Sequence, residues 1–345
     1  MSRPASSLRF AAVLRFAAAV RFAALSFLVM AVLVAAGAAP RAVAAPAALF
    51  TLGDPRGDDH GDGSLLYPLR DDLAPGDLDL VSLSARAEKD GTLFEATFAR
   101  PVRVPGLEPV DAGGAALDRV ARFGFYTFNL DIYIDGDRVP GSGRRAMLPG
   151  RKAEVDSMSG WERAICLTPR PYQAIESLRD MRLEAAKDSL EKSAPRVDAE
   201  DVARLKKAVE AEIESTVFFP TRVRVLGSRV RFFVPNRFLG GSARDTWCYV
   251  AAVSGADVGQ RFDLGTSLSG SADFAKGLMI VPVAPGRSRQ RFGGGRENDD
   301  LMPPLVDVLI APGTSQEDAL RDYDRKAGRP VRLRGAVPAE VATRR

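Results

Sequence analysis

Leu93-Phe94-Glu95-Ala96-Thr97-Phe98 and Leu130-Asp131-Ile132-Tyr133-Ile134-Asp135 decide the fold class. In the first, Phe94, Ala96 and Phe98 fall on one face. In the second, Leu130, Ile132 and Ile134 do, with Asp131, Tyr133 and Asp135 opposite. A period of two with one apolar face marks a half-buried strand. The pattern repeats where Val223 and Val225, then Val230, Phe232 and Val234, alternate with mostly basic residues. Residues 247–253, 278–283 and 305–310 are mostly apolar runs of strand length. The 31 glycines and 23 prolines, as in Pro140-Gly141-Ser142-Gly143 and Leu148-Pro149-Gly150, mark turns between them. Many short strands with such turns predict a mainly β fold, a sandwich or barrel.

Residues 173–215 break the pattern. Glycine disappears, and Val202, Leu205, Val209 and Ile213 recur at helical spacing. Asp198 with Asp201 three residues on is a helix start. A first helix over residues 175–190 and a turn over 192–197 complete an inserted helical hairpin. It is either a partner-binding element or a solvated flap over a sheet edge. Residues 314–323 predict one short further helix.

The N-terminus predicts export. Arg3, Arg9, Arg15 and Arg21 precede an apolar run over residues 23–39, and Ala42-Val43-Ala44 follows. A positive start, an apolar middle and small residues at a cleavage site make a secretory signal. Residues 1–44 are therefore expected to be removed, leaving 45–345 as a single exported domain: periplasmic, cell-surface or secreted. A retained membrane helix is the other reading, since the run approaches the ~20 residues that span a bilayer. The formal net charge of +4 owes everything to this segment, which holds five arginines and no acid. The remainder carries 43 basic and 44 acidic residues. No clustered basic face is evident, so nucleic acid is not an expected partner.

Cys166 and Cys248 are the only cysteines, and both lie in apolar, strand-like runs. They pair in an oxidising compartment or stand as two buried thiols; both readings are open. His60 is the only histidine. It restricts nucleophilic triads and leaves haem short of axial ligands. Nothing singles out the carboxylate pair a glycosidase needs.

The densest chemistry is Asp54-Pro55-Arg56-Gly57-Asp58-Asp59-His60-Gly61-Asp62-Gly63. Carboxylates this close repel one another unless neutralised. Oxygen ligands on a glycine-rich loop suit calcium, although the spacing is no complete metal motif and Asp and Gly also make ordinary turns. Asp54, Asp58, Asp59 and Asp62 are the candidate ligands, with Asp131 completing the site. Phe292-Gly293-Gly294-Gly295-Arg296 lacks the Lys and Ser/Thr of a phosphate loop, so no nucleotide is expected. Tyr126, Phe128, Tyr133, Trp161, Trp247 and Tyr249 form an aromatic set in which one or two exposed rings would serve a glycan platform, although core packing is the commoner use of such residues. Tyr133, Trp247 and Arg296 are the candidate ligand contacts.

The run Leu52-Gly53-Asp54-Pro55-Arg56-Gly57-Asp58-Asp59 followed by Tyr67-Pro68 resembles the opening of the C-terminal domain of glucodextranase. Asp131-Ile132-Tyr133-Ile134-Asp135, Pro140-Gly141-Ser142-Gly143, Leu148-Pro149-Gly150-Arg151 with Trp161-Glu162, and Leu305-Val306-Asp307-Val308-Leu309 continue the likeness in order. That family is similar to DOMON-like and family-9-type carbohydrate-binding modules. The resemblance implies a β-sandwich without a catalytic centre, a carbohydrate or cell-surface role, and structural calcium at Asp54, Asp58 and Asp59. Two features depart from the family: the domain stands alone behind a signal, and the helical hairpin interrupts it. The expected function is an exported, non-enzymatic binding module for polysaccharide or cell-envelope glycan. The alternative is an envelope scaffold that grips a protein partner through the hairpin.

Overall fold

The computed structural model describes residues 47–108, 116–193, 198–258, 278–296 and 301–342. The proposed signal and residues 297–300 lie outside this set, so the structure does not address them. The strands are β1 (Ala48–Gly53), β2 (Leu80–Glu88), β3 (Gly91–Phe98), β4 (Phe128–Asp135), β5 (Ala153–Val155), β6 (Arg163–Leu167), β7 (Val217–Phe218), β8 (Val223–Leu226), β9 (Arg229–Pro235), β10 (Cys248–Gly255), β11 (Asp307–Leu309) and β12 (Val331–Leu333). One five-stranded sheet runs β1-β2-β3-β9-β8, the other β11-β10-β4-β6-β7, and β12 pairs with β5 in a two-stranded strip. The first sheet is antiparallel throughout; in the second, only β6 and β7 are parallel.

The two sheets pack face to face. Phe50, Leu52, Phe94, Phe98 and Phe232 from one meet Phe128, Leu130, Ile132, Ile134 and Tyr249 from the other in a single apolar core. The alternation in residues 93–98 and 130–135 supplied this core, as the period predicts.

β4 departs from the half-buried expectation. Every residue of β4 and of β10 is buried. The outer face of their sheet is covered by a second apolar cluster that joins Tyr133, Trp161 and Cys166 to Leu148, Val155, Ala174, Leu178, Ile213 and Leu333. The polar-looking face of β4 is therefore an interior face. The covering comes partly from Pro171–Ser193 and Ala199–Thr216, the two helices of the expected insertion. Asp198 caps the second helix by accepting from the backbone N–H groups of Glu200 and Asp201, each at 2.9 Å. The Asp201 side chain returns a bond to the backbone of Asp198, completing the capping box. The insertion packs only at its base. Between residues 179 and 212 no described side chain is fully buried.

Two smaller expectations resolve differently. Residues 278–283 form no strand; Ile280 and Val283 make isolated bridges to Ala256 and Phe292. The short C-terminal helix is present as Gln316–Arg321, capped by Ser315. Among the described residues no helix is long and apolar enough to cross a membrane.

Candidate functional site

Four carboxylates converge at one rim of the sandwich. Asp54 follows β1, Asp58 lies in the loop after it, Asp79 precedes β2, and Asp307 opens β11. One oxygen from each of Asp58, Asp79 and Asp307 lies within 4.8 Å of the others. Asp54 is close enough to feel all three.

Backbone bonds position the group. The Asp54 N–H donates to Val81 O at 2.8 Å. The Leu80 N–H donates to Asp307 Oδ2 at 2.5 Å, and the Gly57 N–H to Asp79 Oδ2 at 2.7 Å. Buried Gln316 straps the loop down. Its amide nitrogen donates to the carbonyls of Asp58, Gly61 and Val306, and its carbonyl accepts from the Val308 N–H at 2.7 Å. Gly61 has φ +60°, and a Cβ there would lie 2.9 Å from Leu305 O, so a side chain would push the loop off β11.

The remaining oxygens have no such partners. Asp54 Oδ2, Asp58 Oδ1, Asp79 Oδ1 and Asp307 Oδ1 are buried without a hydrogen bond. Buried polar atoms are almost always satisfied, and unpaired charges are costly to bury. Among the described residues no Lys or Arg forms an ion pair with any of the four, although Arg56 acts on Asp79 and His60 on Asp58 from a distance. His60 itself bonds Glu317 at 3.0 Å. Burial, reinforced by Asp58 and then Asp79, pushes the Asp54 carboxyl up to about 8. Burial and the same neighbours raise Asp307 well above its ordinary value, and burial raises Asp58 and Asp79 as well. A hard cation with several oxygen ligands would satisfy all four orphans together.

The expected ligand set is partly redrawn. Asp54 and Asp58 are in the cluster. Asp59 is not: its Oδ2 accepts from Tyr67 Oη and from the Gly76 N–H at 2.5 Å. Asp62 is turned to Ser64, accepting from its N–H at 3.0 Å and its hydroxyl at 2.6 Å. Asp131 points to the opposite face of its sheet, where Arg151 grips it through Nε at 2.5 Å and Nη2 at 3.1 Å. A carboxylate neutralised in this way has no free charge for a metal. Asp79 and Asp307 took their places. Asp307 left a signal, a lone charge inside the apolar run Leu305-Val306-Asp307-Val308-Leu309, where a strand interior tolerates an acid only with a purpose.

The expected ligand contacts also change. Tyr133 and Trp247 are buried, and so are Tyr126, Phe128, Trp161 and Tyr249. A ring without an open face cannot stack on a sugar, so the aromatic set is core. Arg296 is exposed. Cys166 and Cys248 are free buried thiols. Cys166 pairs across β4 with Asp131 and Cys248 with Asp135. They stand on opposite flanking strands and four residues apart along β4, roughly 13 Å in that direction alone, too far for a disulfide.

An antiparallel sandwich with a buried acidic cluster at one rim belongs to the class of β-sandwich modules. A family model described as the C-terminal binding-module, SLH-like, of glucodextranase matches residues 49–335, and the chain belongs to that family. The match runs from β1 past β12 and includes the helical insertion. No curated protein matches the chain.

Proposed function

We propose that this chain is an exported, non-catalytic module that binds carbohydrate at a rim braced by calcium. The family assignment supports the carbohydrate role. The observation that carries the calcium brace is the set of four unpartnered buried oxygens on Asp54, Asp58, Asp79 and Asp307. These carboxylates would hold the ion, and the ion would lock the β1–β2 loop onto β11. Residues 1–44 act as the export signal and put the module outside the cytoplasm; contact with a membrane requires that signal to be retained.

Two grooves flank the cluster. One, of about 800 Å³, is lined by Arg56, Tyr67, Arg70, Asp79, Arg100 and Arg287 among others. The other, of about 840 Å³, includes Asp54, Asp58 and Gln316. Either accommodates a few sugar units, and calcium at the cluster would shape both. Without an aromatic platform at the expected positions, hydroxyl recognition falls to arginines and loop backbone. The ligand is a polysaccharide or a cell-envelope glycan.

The test is retention of the protein lacking residues 1–44 on insoluble glucans and envelope polysaccharides, with calcium and with chelator. Calcium-dependent retention that disappears in Asp58→Asn with Asp307→Asn is the expected result. A protein that passes unretained over every polymer in both buffers overturns the reading. The second reading, an envelope scaffold, draws on the outer part of the hairpin, where none of the described side chains between residues 179 and 212 is fully buried. Deleting residues 173–215 would then abolish a protein partner while leaving glycan retention intact.

A further inference from the structure

At the far end of β4 a second group of acids comes together. Asp135 closes the strand, Asp137 follows one glycine later, and Glu162 directly precedes β6. One oxygen from each lies within 4.8 Å of the other two. The Glu162 N–H donates to Ile134 O at 3.1 Å, which holds its backbone beside β4.

Part of each carboxylate is accounted for. Asp135 Oδ1 accepts from the Arg138 N–H at 2.7 Å, and Glu162 Oε2 accepts from the Gly136 N–H at 2.8 Å. Asp137 accepts from Ser142 Oγ at 2.9 and 3.2 Å and from the Val139 N–H at 2.8 Å. The other oxygens, Asp135 Oδ2 and Glu162 Oε1, are buried without any partner. Asp135 is only 2% exposed, so water is not freely available to it. Neither nearby arginine bonds the two bare oxygens, although the charge of Arg138 is felt at Asp135. Arg138 bonds Glu340 at 3.2 Å, and Arg163 donates to Phe238 O at 2.6 Å. The loop is also built around the group. Gly143 sits at φ +71°, and a Cβ there would lie 2.7 Å from Glu162 Oε1 and 2.6 Å from the Gly160 carbonyl.

Two bare, buried carboxylate oxygens and a third carboxylate at the mouth bring three hard oxygen donors together, while burial pushes the neighbouring Cys248 thiol up and so disfavours the thiolate that would ligate. We infer that Asp135, Asp137 and Glu162 form a second divalent-cation site of the calcium class. It is independent of the proposed carbohydrate role. The ion would clamp the 136–143 loop to the start of β6, as the first would clamp the β1–β2 loop to β11.

The chain's two tryptophans let the sites be told apart. Trp161 adjoins Glu162, and a Cβ on Gly136 would lie 3.7 Å from the Trp247 ring. Asp307 pairs with Val253, six residues along β10 from Trp247, roughly 20 Å away. Terbium, a luminescent stand-in for calcium, is titrated into the protein with excitation through tryptophan. The expected result is saturable emission that calcium displaces, that survives Asp58→Asn with Asp307→Asn, and that is lost in Asp137→Ala with Glu162→Gln. Asp137→Ala alone changes only an exposed side chain, so a folded variant is available and should weaken terbium binding. No tryptophan-sensitised emission from the unaltered protein, or undiminished emission from a folded Asp137→Ala/Glu162→Gln protein, overturns the site.

Discussion

Asp131 and Asp307 occupy the same sheet, separated by β10, and point to opposite faces. Both are essentially inaccessible, at 1% and 0% exposure. Asp131 meets a guanidinium. Arg151 binds both of its oxygens and gives its third nitrogen to the carbonyls of Pro149 and Leu278 at 3.0 and 3.3 Å. Asp307 meets only other acids and one backbone N–H. Burial alone therefore does not say what an acid is for. A buried carboxylate with its counter-charge inside the protein is structural. One whose counter-charge is missing, beside three more acids, is what the proposed calcium brace rests on.

The comparison breaks most sharply under substitution. Asp131→Ala leaves the Arg151 guanidinium buried and unpaired, and removing one partner of a buried pair costs about 3–5 kcal/mol. A denaturant midpoint should fall accordingly, and calcium should not restore it. Replacing both partners with apolar residues, Asp131→Leu with Arg151→Met, should recover most of that loss. Rescue of the single variant by calcium would merge the two classes of acid.

The acidic rim should respond in the opposite direction. In chelator, Asp307→Asn relieves repulsion and should hold or raise the melting temperature. With calcium at a hundred times its Kd the unaltered protein should gain about 2.7 kcal/mol, and Asp307→Asn should not. The pH dependence follows the same logic. Asp54 titrates near 8 when folded against 3.8 ordinarily, so its protonated form favours the folded state. In chelator, the stability that Asp54 contributes, read as the difference between the unaltered protein and Asp54→Asn, should be greatest below about pH 4 and be lost as pH rises toward about 8, since a raised folded pKa loses its contribution over that range. Calcium, which binds the ionised form, should flatten the decline. A difference between the unaltered protein and Asp54→Asn that grows in favour of the unaltered protein as pH rises in chelator would refute the repulsion account.

Smaller effects sharpen the boundary of the site. Asp59→Ala removes the acceptor for Tyr67 and Gly76 and should cost about 1–3 kcal/mol while leaving the calcium shift intact. A lost calcium shift would return Asp59 to the ligand set. Asp198→Ala tests an acid in water: it should cost about 1 kcal/mol through the lost helix cap, independent of calcium.

Much of the architecture was legible in the chain because its signals are local. Phe94, Ala96 and Phe98, and Leu130, Ile132 and Ile134, carry their facing direction in their spacing. The capping pair Asp198 and Asp201 and the glycine-free stretch around it announced the hairpin. The site was half legible. Asp54 and Asp58 stood out because they are crowded in sequence, and so did Asp59 and Asp62, which the fold turns elsewhere. Asp79 and Asp307 reach the cluster from distant strands, so adjacency along the chain could not point to them. The outward face of β4 was misread for a related reason. Asp131, Tyr133 and Asp135 look wet by period alone, and only Arg151 and the covering helices reveal an interior.

By itself the sequence determined that the chain would make short strands around a two-faced core, interrupt them with one capped helical hairpin, and carry more clustered acid than its turns require. Spacing and local hydrogen bonding are sufficient for those. Only the tertiary structure decided which acids keep a counter-charge. Asp131 meets Arg151 twenty residues further on, whereas Asp54 is set against Asp307, about 250 residues away, and a carboxylate's energy is set by what surrounds it in three dimensions.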